Sequence, residues 1–394
     1  MDANRWPVDI DVTIPAEAPA RRRWLRPRLP AWLTRRRAAA IAAVLVLLAV
    51  LAPGVFIGVE CFRTGGRASP SPEVPAAAAD VKGYARSESA TYLTLPAWYV
   101  VYSADAYAAF IREHPPSRFP YFRSIGQYWS AYRHVCRVTK RAYPFEAGTH
   151  LGLGVTGVGF SVEQALRGAY EATLGRLTEW VASHDTEEDA FAYLTAQAYG
   201  AFRHTTPWYE FPFGRTLAAL WRTTRLRGPH PVRKWERKLV LSAEYGLKGL
   251  FALVVRTGAR AVGDPADRRV HAHIESAPDA IFADSTVSRV KALSPRSYIV
   301  SLPPDEAFTV TTMRLVARGV RFLDIAGNDE MLVTAIVPGG FRDAPVHGTL
   351  VFDAPLLEDA SRRRVALKLP VRDLHAILPA LERRGARIEH LYDY

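Results

Sequence analysis

The chain has 394 residues, 49% of them hydrophobic and 23% charged, with 26 glycines and 28 prolines. That apolar content excludes a wholly disordered or collagen-like chain, and two cysteines, Cys61 and Cys136, can make at most one bridge. The net charge is +12, yet only seven of the 51 basic residues are Lys, which reads as the amino-acid usage of a GC-rich genome. No nucleic-acid partner is expected.

Residues 1–37 form a basic tail with nine arginines against four acids. Residues 38–59 form a 22-residue run without a charge, long enough to cross a ~30 Å hydrocarbon layer as a helix. The basic flank keeps the N-terminus inside, and a leading region of 37 residues is too long for a cleaved signal. The reading is therefore an uncleaved signal-anchor in a bacterial inner membrane, with a cytoplasmic N-terminus, a periplasmic C-terminal domain and the lipid bilayer as partner. Residues 60–90, rich in Pro, Ala and Ser, read as a linker.

From 91 to 265 the pattern is helical and aromatic. Ser103 opens a helix running through His114, a second covers Ile125 to Arg141, and Ser161 begins a third. Thr186 caps a fourth, with Glu187, Glu188 and Asp189 favouring its N-terminal dipole. Two further stretches, 147–162 and 239–258, are candidates for additional membrane helices. His150 interrupts the first, and Glu244 and Lys248 interrupt the second.

Residues 266–394 change period from 3.6 towards 2. A repeat is visible. Leu302-Pro303 precedes a helical stretch and then Gly319-Val320-Arg321-Phe322; Leu369-Pro370 precedes another and then Gly385-Ala386-Arg387-Ile388. Gly319 and Gly385 stand where a helix C-cap takes a left-handed residue. Two strand–helix–strand units resemble the ferredoxin-like architecture, with helices on one face of a mostly antiparallel sheet. The expected fold class is thus an α-helical membrane-anchored region with one transmembrane helix, plus a C-terminal α+β domain of ferredoxin-like βαβ repeats.

Candidate chemistry is sparse. Val270 to Glu275 puts His271, His273 and Glu275 on one strand face, a spacing that can ligate zinc or another transition metal. Glu244 and Lys248, one helical turn apart, are either an intramembrane pair or a structural one. Gly152, Gly154 and Gly157 match G-x-G-x-x-G without a preceding strand and read as close helix contact rather than a dinucleotide loop. Trp208 to Phe211 is a dense aromatic loop. No catalytic residue and no cofactor-binding residue is assigned. The expected function is a non-enzymatic binding or assembly module of the cell envelope with a protein partner. The alternatives are a metal-dependent hydrolase built on His271, His273 and Glu275, or a multi-span transport or lipid-site protein.

Overall fold

The computed structural model describes residues 40, 51–62, 88–142, 145–182, 186–262, 269–341 and 348–392. Among the described residues from Glu88 onward, seven α-helices precede the sheets: α1 (Glu88–Glu113), α2 (Tyr121–Ala142), α3 (Ala147–Tyr170), α4 (Arg176–Val181), α5 (Glu187–Arg203), α6 (Phe213–Thr223) and α7 (Pro231–Val262). Ser103 lies inside α1, where its hydroxyl pairs with that of Ser124 at 2.9 Å. Ser161 lies inside α3; its hydroxyl bonds back to the Gly157 carbonyl and accepts from the Trp129 indole. Thr186 caps α5 in a capping box with Asp189, two orphan amide groups satisfied reciprocally.

The first two turns of α7 are held by charge. Arg233, Lys234, Arg237 and Lys238 are buried, and they face Glu171, Glu179, Glu188 and Asp189 at 2.7–3.4 Å. Cations desolvated this far are tolerable only because each meets a carboxylate.

Two four-stranded antiparallel sheets follow. The first contains β1 (Val270–Glu275), β2 (Ser288–Ser294), β3 (Ser297–Leu302) and β4 (Arg321–Ile325) in the order β2-β3-β1-β4. The short α8 (Pro278–Phe282) follows β1, and α9 (Asp305–Ala317) joins β3 to β4. The second contains β5 (Glu330–Pro338), β6 (Thr349–Pro355), β7 (Arg362–Pro370) and β8 (Arg387–Tyr392) in the order β6-β7-β5-β8, with α10 (Leu374–Arg383) joining β7 to β8. The strand orders match position for position, so the repeat is a duplication of a whole four-stranded unit.

Both connecting helices end in the same way. Gly319 (φ 78°) and Gly385 (φ 83°) donate to Val316 and Glu382, and the next residues, Val320 and Ala386, donate to Leu315 and Leu381. That is the Schellman pairing, which places a residue with positive φ at the helix end and so favours glycine.

One core lies between the sheets, with Ala272, Ile274 and Val300 from the first, Val333 and Leu367 from the second, and Phe308 and Leu378 from α9 and α10. The other face of the second sheet presents Leu332, Ala366, Phe352 and Tyr392 to Tyr99 and Tyr102 of α1 and Tyr132 of α2. Strand β5 is therefore buried on both faces, which is why Met331 to Val337 is apolar at every position but Thr334 rather than alternating.

Several expectations are corrected here. The two strand–helix–strand units do not share one sheet. Strands β1 and β2 complete the first unit and β5 and β6 the second, giving two separate sheets. Among the described residues no helix is long and apolar enough to cross a membrane. Most of the expected anchor, 38–59, lies outside the described residues. Its described end continues into the π-helical Ile57–Cys61 and is fastened to α2. Phe56 meets Trp129 edge-on at 4.9 Å, Glu60 pairs with Arg133 at 3.0 Å, and Cys61 forms a disulfide with Cys136.

The 147–162 stretch is the first part of α3, which carries Glu163 and Arg167 directly after its apolar residues. The 239–258 stretch lies within α7, among Lys238, Glu244, Lys248 and Arg256. Each central charge costs about 2.5–3.5 kcal/mol on insertion scales, which offsets the apolar residues between them. The membrane-anchored fold class, the transmembrane signal-anchor and the inner-membrane location with opposed termini are accordingly not supported.

Candidate functional site

A groove of about 740 Å³ lies where α1 and α5 meet the sheet region. Its charged groups are Asp105, Arg112 and Glu113 of α1, His204 at the end of α5, Glu306 at the start of α9, and Glu358 between β6 and β7. Four carboxylates face one guanidinium and one imidazole, a local acidic excess on a chain of net charge +12.

Close packing builds the groove wall. A Cβ on Gly200 of α5 would stand 2.6 Å from Asp105 Oδ1, so glycine lets the two helices approach and brings Asp105 to His204. His204 Nε2 is 2.7 Å from Asp105 Oδ2, and His204 Nδ1 is 3.2 Å from Glu306 Oε2. The hydrogen bond to Asp105 raises the His204 pKa above the usual imidazole value, against burial, with further help from the charges of Asp105 and Glu306. Protonated, this ring donates from both nitrogens and has no lone pair left to take a proton from a substrate. In that form it is a charged clamp between α1 and α9.

Beneath the groove, Trp98 lies 4.1 Å from the His390 ring, and burial pushes the His390 pKa down to about 3. Arg364 holds Glu389 through two bonds of 2.7 and 2.9 Å and sits over the Tyr102 ring. These contacts fix β8 against α1. Glu358 differs from the other groove acids. Burial raises its pKa, and its Oε2 is buried with no hydrogen-bond partner among the described residues. A buried acceptor without a donor is unfavourable by about 1–3 kcal/mol until something supplies one.

His271, His273 and Glu275 lie on the face of β1 away from the inter-sheet core, the first two half-buried and the third exposed. His273 Nε2 bonds Ser297 Oγ at 2.8 Å. The three do not converge: among the described residues, the group of ligand-type side chains whose donor atoms all lie within 4.8 Å is Cys61, Cys136 and His150.

Glu244 and Lys248 do meet, at 2.9 Å, and the pair is part of a larger set. Lys248 reaches Glu163 at 2.7 Å, and Arg167 pairs with Glu244, so α3 and α7 are joined by four alternating charges. Burial opposes ionisation of Glu244, but Arg167 and Lys248 outweigh it and hold its pKa at about 2. Gly154 and Gly157 lie mid-helix; a Cβ would meet Ile57 at the first and Tyr128 and Trp129 at the second, so these glycines serve packing. Phe211 is buried against Tyr199, Phe202 and Phe213, and the Trp208 to Phe211 loop is likewise part of the packing.

No known protein family, no curated protein and no solved structure matches the chain. Sequence reasoning passed over Asp105, His204, Glu306 and Glu358, which come from four separate elements and have no common spacing. The one local signal was His204 itself, a cation placed after the last turn of a helix.

Proposed function

We propose that the chain is a non-enzymatic binding module that takes a basic peptide segment of a partner protein in the groove between α1, α5 and the sheets. The observation that carries this reading is Glu358: a buried carboxylate oxygen with no donor among the described residues, in a groove with three further acids. A guanidinium or ammonium group would supply the missing donor and neutralise the local charge; Arg suits such a site because its planar fork meets a carboxylate through two parallel bonds. The groove volume falls within the range of sites that take small ligands or a few residues of peptide. The placement of His204 supports binding over catalysis, because both nitrogens of the imidazole at the site already face carboxylates. The separated donor atoms of His271, His273 and Glu275 give the hydrolase alternative no comparable support.

Calorimetric titration of the full chain with an oligo-arginine peptide, and separately with an oligo-glutamate peptide of equal length, tests the reading. Saturable one-to-one binding of the first and none of the second is expected. No heat from oligo-arginine, or equal heats from both, would overturn it.

A further inference from the structure

We propose that Cys61, Cys136 and His150 form a zinc site once the disulfide between the two cysteines is reduced. Three elements deliver these side chains to one point. Cys61 ends the π-helical turn, Cys136 lies within α2, and His150 sits in the first turn of α3. Their candidate ligand atoms all lie within 4.8 Å of one another, and the residues are 3%, 0% and 4% exposed. Two thiolates and an imidazole are a donor set that zinc prefers, and three protein ligands leave a fourth coordination position for water.

The surroundings supply what a bound imidazole needs. Zinc-ligating histidines commonly hold their second nitrogen in a hydrogen bond that fixes tautomer and ring direction. Here the Tyr132 hydroxyl lies 2.8 Å from His150 Nδ1, and the Phe145 ring stacks on the imidazole at 4.6 Å with planes 6° apart. A buried disulfide needs neither a neighbouring imidazole nor such a rigid orientation of it.

The chemistry balances. A dithiol reductant attacks one sulfur and forms a mixed disulfide, and its second thiol then displaces the protein sulfur. The dithiol gives up two electrons and becomes a disulfide, while Cys61 and Cys136 become thiols. Zinc(II) then displaces both thiol protons to solvent and accepts the His150 lone pair. One cross-link between the π-helical Ile57–Cys61 and α2 is thereby exchanged for another, so the connection persists in oxidising and in reducing surroundings alike.

The test uses the full chain, reduced with a phosphine under anaerobic conditions and titrated with cobalt(II). The expected result is one cobalt per chain, with thiolate-to-cobalt charge-transfer absorption and tetrahedral d–d bands that zinc(II) abolishes. The oxidised chain should give neither feature. His150→Ala should weaken cobalt binding ~100-fold or more, and Tyr132→Phe, which keeps every ligand and the ring volume, by roughly 10–100-fold. Circular dichroism of the oxidised variants confirms that they fold. The proposal is overturned if the reduced wild-type chain shows no thiolate–cobalt bands, if the oxidised chain shows them equally, or if His150→Ala binds as tightly as the wild type.

Discussion

His204 Nδ1 stands 3.2 Å from Glu306 Oε2 while its Nε2 holds Asp105 at 2.7 Å, so one imidazole ring joins the helical region to the helix between β3 and β4. This contact makes the junction sensitive to pH near neutrality. The folded pKa of His204 is raised, so its contribution is fully present below the unfolded value of about 6.5 and is lost as pH rises through the folded value. Wild type should exceed His204→Asn in stability by up to about 1 kcal/mol in mild acid, because the partner carboxylates are partly exposed. That excess should vanish in mild alkali. Denaturant unfolding of both proteins across this range measures the difference, and an excess independent of pH would contradict the clamp.

His390 titrates in the opposite sense. It is buried neutral against Trp98, with its pKa lowered to about 3. The stability it contributes is present above about 6.5 and is lost as pH falls from there through about 3. His390→Phe should therefore flatten the acid limb of the stability profile. Thermal unfolding followed through Trp fluorescence would show this. Parallel acid limbs in variant and wild type would assign acid sensitivity elsewhere.

The four charges between α3 and α7 predict a rescue. Glu244→Ala leaves Arg167 and Lys248 facing each other with Glu163 as the remaining carboxylate, and should cost about 1–3 kcal/mol for a partly buried network. The double variant Glu244→Ala/Lys248→Ala leaves Glu163 and Arg167 balanced, 3.9 Å apart, and should recover much of that loss. A double-mutant cycle by chemical denaturation gives the coupling directly, and purely additive losses would show the pair to be independent.

Cutting the chain between α7 and β1 should expose a face that α1 and α2 cover. Leu332, Phe352, Ala366 and Tyr392 pack on Tyr99, Tyr102 and Tyr132. Each large buried side chain of this kind contributes about 1.5–3 kcal/mol. The isolated sheet fragment should bind a hydrophobic dye and unfold well below the full chain. A fragment as stable as the full chain would mean that this face contributes little.

The parts of the fold legible in the sequence are those set by neighbours along the chain. Thr186 with Asp189 marks the start of α5, the alternation of Val270, Ala272 and Ile274 marks β1, and Gly319 and Gly385 mark two helix ends through their left-handed backbone. The reading of two additional membrane helices arose because α3 and α7 carry exposed apolar side chains, among them Leu151, Val155 and Leu166 on one and Leu247, Leu250 and Phe251 on the other. Composition cannot distinguish such a face from a lipid-facing one. What separates them here is charge: Arg233 and Arg237 are drawn inside by Glu171, Glu179 and Asp189, which lie on other helices. The groove was illegible for the same reason, since Asp105, His204, Glu306 and Glu358 become neighbours only after both sheets have formed against α1.

The central claim is that a basic peptide binds in this groove rather than to the surface at large. The most direct test compares oligo-arginine affinity in Glu113→Gln/Glu358→Gln with that in Glu275→Gln/Glu382→Gln, which removes the same charge from exposed positions outside the groove. The account predicts about tenfold weaker binding or more in the first, equivalent to ~1.4 kcal/mol, and wild-type affinity in the second. Equal losses in both variants would show that oligo-arginine answers only to overall charge, and would contradict the assignment.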